Sequence, residues 1–379
     1  MIKIEKAENC SGCHACYSVC PKQCISMVCD GEGFWYPEID DTICINCRLC
    51  ERVCPILHSK PIQNQPKAYA CFNLEKSVRK ESSSGGVFTL LGKWVISQGG
   101  VVFGAKFDDS FRVVHGFIEN QEDLNQFRGS KYVQSLIGDV FKQVKMFLEQ
   151  DRFVLFSGTP CQTDGLRAYL QHDYPKLFVQ DIVCHGVPSP LVWQHYLDWA
   201  LDGKMPKSVT FRNKDCSWVN YQVKIDTEYG IQQEVYRDNL FMKAFLSDIC
   251  LRPSCSACHF KSLHRQSDLT LADFWGIQNV VPELFDDQGT SLVLVNSEKG
   301  GGLFEAIKQG LMYKEVDIQR AVQYNPSAYQ VTKANPKRAD FFNALENMPF
   351  DKALKKYVHK SVFRQSKAYL KRILRKLLS

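Results

Sequence analysis

Two copies of one cysteine pattern near the start of the chain limit what it can fold into more than any other feature. The first reads Cys10-x2-Cys13-x2-Cys16-x3-Cys20-Pro21 and the second Cys44-x2-Cys47-x2-Cys50-x3-Cys54-Pro55. Three thiols spaced by two residues wrap a loop around one face of a 4Fe-4S cube, and the fourth, at the start of the next turn, reaches across to a second cube. The expected ligand sets are therefore Cys10, Cys13, Cys16 and Cys54 for one cluster, and Cys44, Cys47, Cys50 and Cys20 for the other. Each following proline fixes φ and lacks an N–H, which ends the turn after the fourth cysteine.

Runs of this form hold the clusters of bacterial two-cluster ferredoxins. A zinc site takes paired Cys-x2-Cys units rather than three in a row. A disulfide framework needs an oxidising compartment, and the opening Met1-Ile2-Lys3-Ile4-Glu5-Lys6 lacks the apolar stretch of a secretory signal. With 17 cysteines in the chain, a reducing, cytoplasmic setting with metal use is expected. Cys24 and Cys29 fall outside the repeat and read as bystanders.

At 379 residues and 45% hydrophobic content, the chain has ample material for further cores beyond a cluster module. The formal net charge of +6 is unevenly spread: Lys352 to Ser379 carries seven Lys and three Arg with no acid, so the body is net negative. That distribution does not describe a nucleic-acid-binding core. No apolar run approaches the roughly 20 residues that span a bilayer, so a soluble or at most membrane-peripheral protein is expected.

The expected organisation is a two-cluster domain at 1–60, a linker at 61–67, an α/β domain at 68–200, a second half at 201–335 with its own cysteine group, and a basic amphipathic helical tail at 336–379. Ser82-Ser83-Ser84-Gly85-Gly86 opens a helix whose apolar residues run through Val87, Leu91 and Val95, an arrangement that leaves N–H groups for a phosphate or simply caps the helix. Arg128-Gly129-Ser130-Lys131-Tyr132 reads as a phosphate-and-ring clamp or a solvated turn. Strands at Phe153–Phe156 and Leu177–Val183 deliver Ser157-Gly158-Thr159-Pro160-Cys161 and Cys184-His185-Gly186 to the same edge of a sheet, where α/β folds bind ligands. Further strands are expected at Val101–Phe107, Ser208–Asn213, Leu269–Asp273 and Ser291–Val295. Gly300-Gly301-Gly302 reads as a flexible turn before a helix.

Cys250-x4-Cys255-x2-Cys258 adds three close thiols, and with Cys161 and Cys184 there are five candidates for the four positions of a third cluster. Cys255 and Cys258 are the safest pair, Cys184 follows, and Cys161 and Cys250 compete for the last place. A structural zinc, or free thiols near a cofactor, are the alternatives. His185, His259 and His264 read as hydrogen-bonded neighbours of this group.

With Ser83–Gly86, Arg128–Tyr132, Ser157–Gln162, Asp181–Gly186 and Cys255-x2-Cys258 followed by Asp273-Phe274-Trp275-Gly276 in view, the chain resembles the family of coenzyme F(420)-dependent hydrogenase and dehydrogenase beta subunits. The resemblance implies an α+β ferredoxin-like module followed by an α/β flavin-binding domain with additional β-rich segments. It further implies FAD beside an iron-sulfur cluster, with flavin contacts at Ser84, Gly85, Gly86, Lys131, Gly158 and Thr159. The Cys-Leu-Arg-Pro-Ser-Cys form and basic tail look like a branch found with cell-surface polysaccharide biosynthesis, where F(420) itself is not implied. The expected function is an iron-sulfur flavoprotein oxidoreductase acting on a small-molecule substrate, supplied by a redox partner protein or reduced ferredoxin. The alternative is an electron carrier that delivers electrons to a separate enzyme. Lys131 is expected to stabilise negative charge, Asp181 or His185 to manage a proton, and Leu370, Ile373, Leu374, Leu377 and Leu378 to form the apolar stripe of a tail that rests on an anionic membrane or packs on protein.

Overall fold

The repeat in the sequence is a repeat in the backbone. Gly12 and Asn46 both adopt positive φ, as do His14 and Arg48, which occupy the matching places in the two cysteine runs. These left-handed residues curl each loop so that successive thiols face one point, and each curl ends in a short helix, Ala15–Val19 or Leu49–Arg52. Strands β1 (Ile25–Cys29) and β2 (Trp35–Ile39) pair antiparallel across the module. The computed structural model describes residues 1–59 and 62–358.

Ten of the remaining strands are β3 (Lys67–Asn73), β4 (Val101–Phe107), β5 (Val113–Ile118), β6 (Val154–Gly158), β7 (Leu177–Ile182), β8 (Ser208–Asn213), β9 (Gln222–Thr227), β10 (Gly230–Val235), β11 (Leu269–Asp273) and β12 (Ser291–Val295). With β13 (Leu311–Val316) they form a mixed sheet in the order β13-β3-β12-β11-β7-β6-β4-β5 and a separate antiparallel sheet β10-β9-β8. Strands β4, β6, β7 and β11 are mutually parallel, and β3 runs the same way because β12 is antiparallel to both β11 and β3. Five strands therefore end at one edge.

Alternation along the strands divides the core. Leu155 and Phe178 face the helices Val87–Ser97 and Glu298–Ile307, while Val154, Phe156, Leu177 and Val179 face the helices Val140–Glu149 and Pro160–Leu170. Cys13, Ala15 and Val53 of the cluster module join that second layer. Phe34 goes elsewhere: it is fully buried among Trp193, Phe211, Phe241 and Phe341. The cluster module is thus packed on two sides rather than tethered.

Two expectations meet different structure. Gly300–Gly302 lies inside the helix Glu298–Ile307, capped by Ser297, whose hydroxyl accepts from the Gly300 N–H. A Cβ at Gly300 would stand 2.1 Å from the Asp268 carbonyl oxygen, so the glycine permits a close helix approach rather than a turn. The start of the expected tail forms the helices Arg338–Leu345 and Phe350–Tyr357, with Phe341, Phe342, Phe350 and Leu354 buried beside Trp193. The Leu370–Leu378 stripe lies outside the described residues. Among the described residues no helix is long and apolar enough to cross a membrane.

Candidate metal centres

Crossing of the fourth cysteines creates two cavities in the first module. One, of about 360 Å³, is lined by Cys20, Cys44, Cys47 and Cys50. The other, of about 350 Å³, is lined by Cys10, Cys13, Cys16 and Cys54. Each cavity thus takes three thiols from one run and one from the other. Cys24 also lines the first of these, the outer cavity as distinct from the second or middle one, with its Sγ 3.3 Å from that of Cys20, a placement that its position outside the repeat did not signal.

The third cavity, of about 550 Å³, lies at the edge where β6 and β7 end, and Cys161, Cys184, Cys255 and Cys258 line it. Thr159 caps the helix that carries Cys161, in a capping box with Gln162. The loop after β7 supplies Cys184, and the 3-10 turn Pro253–Ala257 carries Cys255 and leads to Cys258. Cys250 stands apart: it is fully buried in the apolar core with Trp193 and Phe245, and it does not line the cavity.

The donor sets fit 4Fe-4S clusters: each of the three cavities is lined by the four thiols that the corners of a cube require, with Cys24 a fifth at the outer one. Burial pushes the thiols up, Cys13 and Cys255 to about 12 and Cys184 to about 11. Loading a metal group must displace those protons.

The middle and third cavities share a wall. Ser11, next to Cys10, and Ile56, two residues after Cys54, line both. Arg252 fills the junction. Its Nε donates to the Cys10 carbonyl at 2.8 Å, Nη1 to Gln134 Oε1 at 3.1 Å and Nη2 to the Trp35 carbonyl at 2.9 Å. A Cβ at Gly12 would stand 2.9 Å from Arg252 Nη1, so the glycine lets the first cysteine loop close on the guanidinium. On the far side, Lys261 Nζ donates to the carbonyls of Cys184, His185 and Ser327. Neither cation was singled out in the sequence, although Arg252 sits inside the Cys250–Cys255 run.

The expected flavin residues divide into two groups. Ser84 Oγ donates to the Thr290 carbonyl and the Gly85 N–H to Ser291 Oγ, so both are spent on the approach to β12. Lys131 Nζ donates to the carbonyls of Gln126, Arg128 and Gly129, and burial lowers its pKa to about 7. Gly86, which caps the helix Val87–Ser97 with no side-chain hydrogen bond, heads a free N-terminus. Gly158 and Thr159 are half-buried at the end of β6, next to Cys161. The Ser130 N–H donates to Ser83 Oγ at 2.7 Å, which joins the two loops of this group.

Asp181 is 1% exposed, paired at 3.0 Å with Arg265, which lines the third cavity, and accepts from Thr270 Oγ1. His185 lines the third cavity and holds Asp248 Oδ1 at 2.6 Å through Nε2.

Residues 151–320 match the model of the family described as the C terminus of the coenzyme F420 hydrogenase/dehydrogenase beta subunit. Residues 9–56 match the 4Fe-4S dicluster domain. The chain therefore carries this family's C-terminal domain behind a 4Fe-4S dicluster domain. It is similar to the coenzyme F420-dependent sulfite reductase of Methanocaldococcus jannaschii, 26% identical over 329 residues that cover 83% of this chain and 48% of that protein. It is also similar to the F subunit of the F(420)H(2) dehydrogenase of Methanosarcina mazei, 22% identical over 184 residues, 46% of this chain and 52% of that protein. The chain spans about half the length of these curated relatives. Among solved structures it is similar to a chain of the F420-reducing [NiFe] hydrogenase complex from Methanosarcina barkeri, with a TM-score of 0.46, 16% identity, and coverage of 78% of this chain and 92% of that one.

Proposed function

We propose that this chain is an iron-sulfur flavoprotein oxidoreductase with three 4Fe-4S clusters in line and FAD at the strand edge, acting on a small-molecule substrate. The observation that carries this reading is the wall of Ser11 and Ile56 common to the middle and third cavities. Iron-sulfur clusters supply single-electron transfer, and FAD couples it to two-electron chemistry. Cys20, Cys44, Cys47 and Cys50 would hold the outer cluster, Cys10, Cys13, Cys16 and Cys54 the middle one, and Cys161, Cys184, Cys255 and Cys258 the inner one. Gly86 and the helix behind it would receive a phosphate of FAD, with Gly158 and Thr159 beside the ring system. Exposed Cys47 and Ile45 line the outer cavity and, with exposed Ile43 next to Cys44, offer a redox partner its approach.

The test is anaerobic purification with iron, sulfide and flavin measured per chain. About twelve irons and one flavin are expected from three cubes and a flavin site. About eight irons without flavin would refute the reading and favour an electron carrier within a larger assembly, the role suggested by the word subunit in one relative's name.

A further inference from the structure

Among the described residues, most buried arginines face a carboxylate. Arg79 pairs with Asp286, Arg212 with Asp273 and Arg265 with Asp181. Arg252 is buried more deeply, at 1% exposure, yet its acceptors are two carbonyls and an amide, and its remaining neighbours are the rings of Tyr36 and Phe34. Lys261, half-buried, likewise meets three carbonyls. Among the described residues no Asp or Glu forms an ion pair with either, and none lines the third cavity. A buried cation without an anion is costly enough that folds avoid it. Here the missing anion would be the contents of the cavities that the two cations flank, since an iron-sulfur cube with four thiolates is net negative.

We propose that Arg252 and Lys261 are the built-in counter-charges of the third cavity, and that they set its reduction potential above those of both cavities in the dicluster domain. The inference rests on the reading of the third cavity as a cluster site. Net charge, hydrogen bonds to sulfur and solvent exposure set such potentials, and the first favours the third cavity. Arg252 lines the third cavity and holds the Cys10 carbonyl at the rim of the middle one, whereas Lys261 serves the third alone. The Val187 N–H donates to Cys255 Sγ at 3.4 Å and Thr159 Oγ1 stands 3.2 Å from Cys161 Sγ. The thiols of the other two cavities are supplied with backbone N–H groups as well, Gly12 on Cys10, Ala15 on Cys13, Tyr17 on Cys16 and Ile56 and Leu57 on Cys54 at the middle one, and Ile2 on Cys50 with Lys22 and Gln23 on Cys20 at the outer one, so the distinction of the third cavity is its cations. The cations at the outer cavity, Lys22 and Arg48, are exposed and screened. Water at Cys47 favours added charge more than the buried surroundings of the middle cavity do, so the expected order is third, outer, middle.

The experiment is an anaerobic redox titration of the full chain followed by electron paramagnetic resonance, with iron counted for each sample. Cys161→Ser identifies the third-cavity signal by altering it. That signal is expected to titrate at the highest potential of the three; finding it elsewhere in the order overturns the proposal without any charge variant. Lys261→Met is expected to shift this signal alone to lower potential, Lys261→Arg to restore it, and Arg252→Gln to lower the third and middle signals together. Full iron with an unmoved third signal in Lys261→Met also overturns it. About eight irons and two signals in the unaltered protein would instead sink the cluster reading itself.

Discussion

Replacing Phe34 with alanine tests whether the dicluster domain is part of the main fold. Phe34 is fully buried in the layer that holds Trp193, Phe211, Phe241 and Phe341, although it lies between β1 and β2 of the cluster module. The loop before it is fastened as well: a Cβ at Gly33 would stand 2.6 Å from the Leu191 backbone, Ser189 Oγ donates to the Glu32 carbonyl, and Arg338 pairs with Glu32. Truncating a buried phenylalanine costs about 3–5 kcal/mol, a large part of the roughly 5–15 kcal/mol that holds a domain together. In guanidinium that loss corresponds to a fall of about 1 M in midpoint. Anaerobic unfolding would be followed by cluster absorbance and by tryptophan emission, which reports on buried Trp193 and Trp218. Both midpoints are expected to fall together, while Val28→Ala, at a 44% exposed site of the same hairpin, changes stability by no more than about 0.5 kcal/mol. A fall in the cluster midpoint with an unchanged tryptophan midpoint would refute the coupling.

Three further outcomes can be measured. In Gly165→Ala the new methyl would stand 2.8 Å from Cys13 Cβ and 3.0 Å from its Sγ; the clash, of about 1–3 kcal/mol, should cost about four irons at the middle site, and full iron content would contradict it. Cys161→Ala should remove about four irons whereas Cys250→Ala should keep the full complement, and the reverse result would exchange their roles. Asp164 has its pKa raised to about 7, first by burial and then by nearby Asp181. The folded state therefore holds this proton more tightly than the unfolded state, so the stability it contributes is full below about pH 4 and is lost as pH rises to about 7, by at most about 4 kcal/mol. Asp164→Asn should flatten that decline and raise the melting temperature more at pH 8 than at pH 5; an equal effect at both would refute it.

Local chemistry made part of this structure legible. The strands at Val101–Phe107, Ser208–Asn213, Leu269–Asp273 and Ser291–Val295 lie where apolar runs between turn residues put them. The division of eight cysteines into two crossed sets matches the linings of the two module cavities, because spacing alone limits which thiols can face one point. What the sequence hid depends on distance along the chain. Strand β13 is an edge strand with a mostly exposed pattern and carries little periodicity. Cys161 and Cys250 could not be separated from spacing, since Cys161 reaches the cavity through the β6–helix turn while Cys250 turns into the core. The expected phosphate loop at Ser84 and Gly85 spends its donors on β12, some two hundred residues away in sequence.

The same logic applies to the wall between the middle and third cavities. Arg252 comes from the family domain, but its acceptors come from Cys10, Trp35 and Gln134, at separations of 242, 217 and 118 residues. No local segment can assemble that junction. The helix Pro160–Leu170 imposes a second condition, since Gly165 must be bare for Cys13 to lie against it. Docking of the dicluster domain therefore does two things at once: it completes the third cavity through Ser11 and Ile56, and it buries Arg252 between that cavity and the Cys10 loop. In an empty protein this guanidinium is a penalty, and in a loaded one it is a counter-ion. Cluster content and domain docking are for that reason one equilibrium, in which filling the cavities stabilises the docked arrangement.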